Sequence, residues 1–356
     1  MTAVHAVLPD GIDDPARPSG GNVYDRRVCQ GLGGLGWSVH EHPVAGAWPH
    51  PDPASLDDLG AVIAAIPDGA VAVLDGLVAS TAPDVLVPHA SRIHQVVLVH
   101  MPLGHKPAGG DAEAIRAREH AVLSAASAII TTSAWTRQRL IELYALRAGA
   151  VHIATPGVDA NEPAVGTGSA GAELLCVAAV TPGKGHDVLV EALLGLTHLS
   201  WRCLCVGSLE CDPAFADLVR ARILDTGLGE RISFCGPRTG GALARAYAAA
   251  DLAVLPSRAE TFGMVITEAL ARGLPVIASR VGGTPEAVGH GADGARPGLL
   301  VTPDDIGALR GALQAWLTGA ELRARLRRAA GERRATLQRW PATAQAVADV
   351  LTGAGR

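Results

Sequence analysis

The chain has 356 residues, of which 48% are hydrophobic and 18% are charged, and its formal net charge at pH 7 is −5. A chain of this length can form two domains with separate cores, and its composition excludes an intrinsically disordered protein. The negative charge argues against a nucleic-acid partner. No apolar run approaches the ~18 residues of a membrane-spanning helix, so we expect no stable membrane insertion.

Apolar runs of strand length alternate with amphipathic stretches through the first half of the chain. This alternation predicts a parallel sheet covered by helices on both faces. The predicted strands are 2–8, 37–41, 71–75, 95–99, 128–132 and 151–153. The predicted helices are 23–35, 55–66, 112–125 and 134–144.

A stretch rich in Pro, Gly and Ser, residues 159–171, predicts a linker, after which the same alternation restarts. The strands predicted beyond it are 174–178, 202–206, 231–234, 252–255, 275–278 and 298–301, and the helices are 186–196, 213–226, 243–250 and 263–272. The tail from residue 305 is predicted to be helical. We therefore expect two doubly wound α/β domains with a cleft between them.

One glycine-rich segment, residues 31–36, matches the dinucleotide-binding pattern G-x-G-x-x-G. That pattern binds a dinucleotide only where a strand precedes it and a helix follows it. Here the order is reversed, so the glycines fit a helix end and a turn better. The sequence does not support a nicotinamide cofactor.

The distribution of charge and of cysteine narrows the function further. Residues 1–170 hold 10 Lys and Arg against 17 Asp and Glu, a net −7, whereas residues 171–356 hold 20 against 18, a net +2. Lysine occurs only at Lys106 and Lys184, which makes each one a candidate for function. The six cysteines form no C-x-x-C pair, which favours free thiols in a reducing cytoplasm, where we expect the protein.

Ligands of open α/β sheets bind beyond the carboxyl ends of the strands, so we examine those ends in turn. Gly20 and Gly21 precede a helix whose N-terminal N–H groups can bind an anion, although an ordinary loop explains them equally well. His100 follows a strand, where such a residue more often caps backbone groups. Lys184 lies between glycines before a helix and can reach a phosphate, but the segment lacks the P-loop pattern of an ATPase.

The richest cluster follows the strand at 252–255. Glu260 lies in the turn before a helix, and Glu268 lies about two helical turns further on. Carboxylates accept hydrogen bonds from vicinal hydroxyls, so this pair can hold the sugar and the ribose of a nucleotide sugar. Spacing alone favours two solvated acidic residues. The N–H groups that can serve the hydroxyls or phosphates between them belong to Thr261, Phe262 and Gly263.

The segment 257–279, S-R-A-E-T-F-G-M-V-I-T-E-A-L-A-R-G-L-P-V-I-A-S, carries the two glutamates at the spacing E-x7-E. It resembles the signature of the retaining glycosyltransferase family 4, whose members have the GT-B fold. Further segments resemble that family in the same order, namely 18–22, 126–133, 156–159, 184–185, 282–286, 297–301 and 338–340. The resemblance covers nearly the whole chain and is most specific over 174–303.

The resemblance implies two Rossmann-like domains facing across a cleft. The first, 1–165, would bind the acceptor, the second, 166–338, the nucleotide sugar, and a last helix, 339–356, would pack back on the first domain. The implied reaction moves a sugar from a nucleotide diphosphate sugar, UDP before GDP, to an acceptor hydroxyl with retention. It uses neither a metal nor another cofactor, and the absence of an Asp-x-Asp pair in this sequence agrees with that.

The resemblance also implies residue roles. In the catalytic set, His100 would lie by the donor sugar and the attacking hydroxyl, Lys184 would neutralise the leaving diphosphate, and Glu260 would contact the donor sugar. Glu268 would bind the ribose. The donor-binding residues are predicted to be Gly20, Gly21, Gly207, Arg238, Thr261, Phe262, Gly263 and Glu268. The acceptor-binding residues are predicted to be Asn22, Tyr24, Asp75 and His105.

The sequence departs from the family at one position of catalytic interest. The family commonly carries an Arg a few residues before the lysine, where this chain has Ala178 and Ala179. Loss of one donor that stabilises developing charge often costs ~3–4 kcal/mol. Arg258, Arg238, Arg280 or a positive helix end are the available replacements.

The acceptor and two further function classes stay open. The −7 of the first half favours a neutral or cationic small molecule, such as an aminocyclitol or another natural-product amine of bacterial secondary metabolism, over a phosphorylated one. A GT-B nucleotide-sugar epimerase would need no acceptor. A non-catalytic nucleotide-sugar-binding subunit would explain the missing arginine. A pyridoxal phosphate phosphorylase is disfavoured, since it needs a Schiff-base lysine and Lys184 already has a role.

Overall fold

The computed structural model describes residues 2–16, 18–105, 111–167 and 171–355. By its internal contacts the chain divides into a first unit, Met1–Asp13, Ser19–Gly157 and Gln338–Arg356, and a second unit, Asp14–Pro18 and Val158–Leu337. Lys106 and part of the predicted linker lie outside the described residues.

The first unit is built on a six-stranded sheet of order β2-β1-β3-β4-β5-β6, in which the neighbouring strands run parallel. The strands are β1 (Ala3–Pro9), β2 (Ser38–Val44), β3 (Val71–Asp75), β4 (His94–Val99), β5 (Ala128–Thr131) and β6 (Val151–Ile153). The helices are α1 (Gly20–Gly34), α2 (Pro53–Ala65), α3 (Gly76–Ala79), α4 (Pro83–Leu86), α5 (Ala112–Ala125) and α6 (Ala134–Tyr144). β3 and β5 are buried throughout because helices cover both faces of the sheet.

The second unit repeats this plan with a parallel sheet of order β12-β11-β10-β7-β8-β9. Its strands are β7 (Glu173–Val177), β8 (Arg202–Val206), β9 (Ile232–Phe234), β10 (Leu252–Leu255), β11 (Val276–Ser279) and β12 (Gly298–Val301). Its helices are α7 (His186–Leu194), α8 (Pro213–Asp225), α9 (Gly240–Ala249), α10 (Met264–Leu270), α11 (Thr284–Val288), α12 (Ile306–Thr318) and α13 (Ala320–Thr336).

The two parallel sheets confirm the predicted fold class, and each of the twelve predicted strands overlaps an observed one in the described residues. The short helices α3, α4 and α11 were missed, because four or five residues are too few for a helical hydrophobic pattern. The glycines at 31–36 end α1 and form a turn before β2, with Gly36 at φ 86°. None of the described helices is long and apolar enough to span a membrane.

The last helix, α14 (Trp340–Ala354), packs on α1 and on the strands β3 to β5, and it belongs to the first unit. The two helices approach closely at Gly31, where a Cβ would stand 2.4 Å from Cβ of Ala344. At the start of α14, a Cβ on Gly157 would be 2.3 Å from the backbone nitrogen of Trp340. Glycine at these two positions is therefore a condition for the docking of α14.

We expect Gly31→Ala to lower the free energy of unfolding by about 1–3 kcal/mol, because the added methyl group overlaps Ala344. Gly33→Ala is the matched control, since it lies on the same helix with no atom within 4 Å of its Cβ position. It should leave stability unchanged or raise it by up to about 1 kcal/mol. Urea unfolding of both variants checks this, and a Gly31→Ala protein as stable as the control would contradict the packing.

Candidate active site

Three ionisable side chains meet at the carboxyl ends of the central strands of the first unit. Asp75 ends β3, His100 directly follows β4, and Asp25 lies on α1. Nε2 of His100 is 2.7 Å from Oδ1 of Asp25 and 3.6 Å from Oδ2 of Asp75. Both carboxylates are buried, whereas 15% of the His100 side chain is exposed. His100 is therefore the member of this Asp25–His100–Asp75 group that a ligand can reach.

Local hydrogen bonds explain the path of the chain beyond β3. Oδ1 of Asp75 accepts hydrogen bonds from the N–H groups of Leu77 at 2.7 Å and Val78 at 3.3 Å, which caps α3 and holds the carboxylate. A Cβ on Gly76 would be 2.9 Å from the carbonyl oxygen of Leu98. The glycine after Asp75 thus lets α3 begin directly against β4.

The start of α1 lies against the His100 ring. A Cβ on Gly21 would be 3.2 Å from Cδ2 of His100, so a side chain there would crowd the imidazole. The Tyr24 ring stands edge-on to His100 with 5.2 Å between centroids, and its hydroxyl donates to the carbonyl oxygen of Ala154 at 2.8 Å. The structure therefore brings together Gly21 and His100, two residues that the sequence analysis chose independently.

The neighbouring carboxylates control the charge of the His100 ring. Burial disfavours the charged ring, but the charge and hydrogen bond of Asp25, with the charge of Asp75, outweigh it and raise the pKa of His100 to about 9. Burial and the charge of Asp25 raise the pKa of Asp75 to about 7, against the opposing effect of His100. The imidazole is therefore charged at neutral pH.

Within the described residues, Asp25, Asp75 and His100 are the one group of this kind with all ligand atoms within 4.8 Å of one another. Carboxylate and imidazole groups bind divalent cations, but a coordinating imidazole nitrogen carries no proton. Here Nε2 of His100 forms a short hydrogen bond with Asp25. The arrangement fits three groups that share protons better than a metal site.

The structure corrects two of the predicted acceptor contacts. Tyr24 is 0% exposed and Asp75 is 2% exposed, because both polar groups are used inside the first unit, so neither offers a surface to an acceptor. Asn22 is half-buried in the first turn of α1. His105 is half-buried in a 3-10 turn after β4, where Nδ1 accepts a hydrogen bond from Nε of Arg139 at 3.0 Å.

The turn that carries His105 depends on Glu119, a residue that the sequence analysis missed. Its fully buried carboxylate accepts hydrogen bonds from the N–H groups of Leu103 at 3.0 Å and Gly104 at 2.9 Å. Nε of Arg116 donates to the carbonyl oxygen of Gly104 at 2.9 Å. The sequence signal for this role was the position of Glu119 on the apolar face of α5.

In the second unit, Lys184 and Glu260 form an ion pair. Nζ of Lys184 is 2.6 Å from Oε1 of Glu260, and Oγ of Ser257 donates to the same oxygen at 2.8 Å. The Lys184 side chain is 33% exposed and that of Glu260 is 10% exposed. Without a ligand, these two predicted catalytic groups satisfy each other.

The turn before α7 requires a glycine. Gly185 has φ 69°, and a Cβ there would be 2.1 Å from the carbonyl oxygen of Pro256. The positive φ and the close approach to Pro256 each disfavour any other residue at position 185. The missing side chain lets the turn of Lys184 pack against the segment that leads to Glu260. The glycine that follows Lys184 therefore has a structural cause.

Arg258 braces the same turn. Its backbone N–H donates to the carbonyl oxygen of Gly183 at 2.8 Å, and Nη1 donates to that of Pro182 at 2.6 Å. The guanidinium binds both oxygens of Asp187, at 2.9 and 2.8 Å, and Nε donates to Asp304 at 2.6 Å. Arg258 is thus already engaged within the unit, which argues against it as the replacement for the missing family arginine.

Ala178 and Ala179, which stand where the family has its arginine, lie against the backbone of Gly207. A Cβ on Gly207 would be 1.9 Å from the carbonyl oxygen of Ala178 and 2.8 Å from the nitrogen of Ala179. The N–H of Gly207 already donates to the carbonyl oxygen of Gly236 at 3.0 Å, so this predicted donor contact has no free N–H to offer. Among the described residues, the side chains of Arg238 and Arg280 have no hydrogen-bond or ion-pair partner.

Glu268 is held in place by aromatic and cationic neighbours. The Tyr247 hydroxyl donates to Oε2 of Glu268 at 2.9 Å, and the Arg272 guanidinium lies 4.4 Å from the centre of the Tyr247 ring. Burial raises the pKa of Glu268, an effect that this hydrogen bond and the charge of Arg272 reduce. The hydrogen bond from Tyr247 therefore orients the Glu268 carboxylate within the second unit.

The turn between the two glutamates is shaped by two glycines. Gly263 has φ 91° and precedes α10, and the Phe262 side chain is buried. A Cβ on Gly283 would be 2.1 Å from the carbonyl oxygen of Thr261, so a second glycine supports the turn. Within the described part of the chain, the N–H groups of Phe262 and Gly263 form no backbone hydrogen bond.

Comparison with solved structures defines the fold. Sucrose-phosphate synthase from Thermosynechococcus elongatus matches with a TM-score of 0.79 at 23% identity, over 99% of both chains. HepE from Anabaena, solved in complex with UDP-glucose, matches with a TM-score of 0.78 at 18% identity, over 99% of this chain and 100% of that one. The protein has the GT-B fold of glycosyltransferases.

Sequence comparison points in the same direction. Residues 160–333 match the family model described as glycosyl transferases group 1. A D-inositol 3-phosphate glycosyltransferase of Jonesia denitrificans is 34% identical over 260 residues, which are 67% of this chain and 60% of that protein. The first curated relatives are matched over only 50 to 60% of their own length.

We expect Arg258→Lys to lower the free energy of unfolding by about 1–3 kcal/mol, because an ammonium group cannot replace a guanidinium that binds Asp187, Asp304 and a carbonyl oxygen together. Arg280→Lys is the control, since Arg280 is exposed, and should change stability by less than about 0.5 kcal/mol. Thermal and urea unfolding measure the stability of both variants. Equal losses in the two variants would argue against a stabilising role of the Arg258 guanidinium in the turn of Lys184.

Proposed function

We propose that the protein is a retaining glycosyltransferase that moves a sugar from a nucleotide diphosphate sugar, UDP favoured over GDP, to a hydroxyl of a small polyol. The observation that carries the proposal is the Lys184–Glu260 ion pair, together with the Glu268 carboxylate bound by Tyr247, within a segment that matches glycosyl transferases group 1. A cation for diphosphate and carboxylates for sugar and ribose hydroxyls match the three parts of such a donor.

Donor binding would exchange one ion pair for two sets of contacts. The diphosphate takes the ammonium of Lys184, and the sugar hydroxyls donate to the released carboxylate of Glu260. The N–H groups of Phe262 and Gly263 supply donors beside it. In the reaction, Lys184 stabilises the negative charge that develops on the leaving diphosphate, and that diphosphate accepts the proton of the attacking hydroxyl on the same face of the sugar.

The relatives' names support a cyclic polyol as the acceptor. They favour a phosphorylated ring, and Arg116 and Arg139 beside His105 are cations that suit a phosphate. The net −7 of residues 1–170 instead favours an unphosphorylated or amino-substituted ring. We place the inositol phosphate class first and the aminocyclitol class second.

The deciding experiment has two stages. Calorimetry against UDP, GDP, ADP and dTDP identifies the base, and the sugars of the best binder are then offered with inositol 3-phosphate, inositol and an aminocyclitol. A glycosylated product with a retained anomeric configuration supports the proposal. A new nucleotide sugar formed without acceptor indicates an epimerase. Donor binding without turnover on any acceptor indicates a binding subunit that the missing arginine has disabled.

We expect Lys184→Ala to lower kcat by about 10²–10³-fold while weakening UDP binding less, because the charge it balances is greatest in the transition state. Arg220→Ala removes an exposed cation of the same unit and should leave both values unchanged. Steady-state kinetics with calorimetric Kd values separate the two effects. An unchanged kcat in Lys184→Ala excludes this role.

We expect Glu268→Gln to weaken UDP binding by about tenfold, because it removes the charge from a carboxylate that accepts ribose hydroxyls. The same change should leave the affinity for 2′,3′-dideoxy-UDP nearly unaltered, since that nucleotide lacks the hydroxyls. Equal losses for the two nucleotides would show that Glu268 only maintains the fold around Tyr247.

A further inference from the structure

We propose that Asp25 and Asp75 are positioning residues for His100, which hold its ring in one orientation and protonated on both nitrogens at neutral pH, so that Nδ1 donates a hydrogen bond to a substrate oxygen. The substrate in this statement rests on the proposed function, whereas the state of the ring does not. The sequence analysis did not select Asp25, and it placed Asp75 on the acceptor.

The first step is the geometry at Nε2. Its distance of 2.7 Å to Oδ1 of Asp25 is that of a charge-assisted hydrogen bond, and Oδ2 of Asp75 follows at 3.6 Å. The other oxygen of Asp75 is held by the N–H groups that begin α3. The ring is therefore bound by a helix and a strand end, which are rigid parts of the first unit.

The second step is the packing around the ring. Tyr24 stands edge-on to the imidazole, and Gly21 leaves only 3.2 Å between Cδ2 and the place of a Cβ. A half-turn of the ring would replace Nε2 by a carbon atom and leave the buried Asp25 carboxylate without its partner. Nδ1 has no hydrogen-bond partner among the described residues, and we assign it to the substrate.

The third step is charge. The titratable groups that face the ring are Asp25 and Tyr24 from α1 and Asp75 from β3; burial raises the pKa of Tyr24, so its phenol stays neutral. One imidazolium faces two carboxylates, so its proton is lost only as the pH rises through about 9. A ring charged at neutral pH is a hydrogen-bond donor and not a general base.

A hydrogen-bond donor and a general base at position 100 predict opposite pH dependences of kcat/KM. If His100 acts as a donor, kcat/KM falls as the pH is raised through the pKa of the ring. If it acts as a base, the same titration makes activity rise. Asp25→Asn keeps the size of the side chain but removes the charge that favours the protonated ring, so it should move the alkaline limb of the profile to lower pH.

The first measurement needs no substrate. In the full chain labelled at histidine 13Cε1, with the signal of His100 assigned from its loss in His100→Gln, we expect a titration near pH 9. Asp25→Asn should lower that midpoint by at least one pH unit, and Asp75→Asn should lower it less. Glu41→Gln is the control, because that carboxylate pairs with Arg26 instead.

A His100 midpoint at or below 6.5, or one unchanged in Asp25→Asn, overturns the proposal. Where Asp25→Asn does not fold by circular dichroism, Asp75→Asn provides the test with the same criterion. The second measurement is the pH profile of kcat/KM for wild type and variant. A shifted NMR midpoint without transferase activity refutes the proposed function alone, whereas activity with an unmoved alkaline limb refutes the positioning role alone.

Discussion

A buried charged side chain must meet an opposite charge or a hydrogen bond, and this requirement organises the candidate site in each unit. In the first unit it joins Asp25 and Asp75 to His100. In the second it joins Lys184 to Glu260 and provides Glu268 with the hydroxyl of Tyr247. The groups that a substrate would use are therefore oriented and charged before it binds, which lowers the cost of organising the site during catalysis.

The elements that could be predicted from the sequence are those with a long periodic pattern. The strands follow from continuous apolar runs, and Lys184, Glu260 and Glu268 follow from their place after strands together with the family resemblance. Asp25 was missed because it lies on a helix and not in the segment that directly follows a strand. Its position beside Tyr24 on the buried face of α1 was the signal, since a carboxylate seldom occupies such a stripe without a partner.

Long-range contacts account for the remaining differences. Gly207 was chosen for its place after a strand, but its N–H is used by Gly236 and its missing side chain makes room for Ala178. Arg258 was considered as a phosphate ligand, and only its bonds to Asp187 and Asp304 show that it supports the turn of Lys184. No local pattern contains such information, because Asp304 and Asp187 lie 46 and 71 residues from Arg258 along the chain.

The docking of α14 on α1 has a consequence for biosynthesis. The first unit combines an early segment with Gln338–Arg356, whereas Val158–Leu337 form the main part of the second unit without interruption. The surface of α1 around Gly31 therefore stays uncovered until the segment that forms α14 has been made, and the first unit cannot complete its core before then.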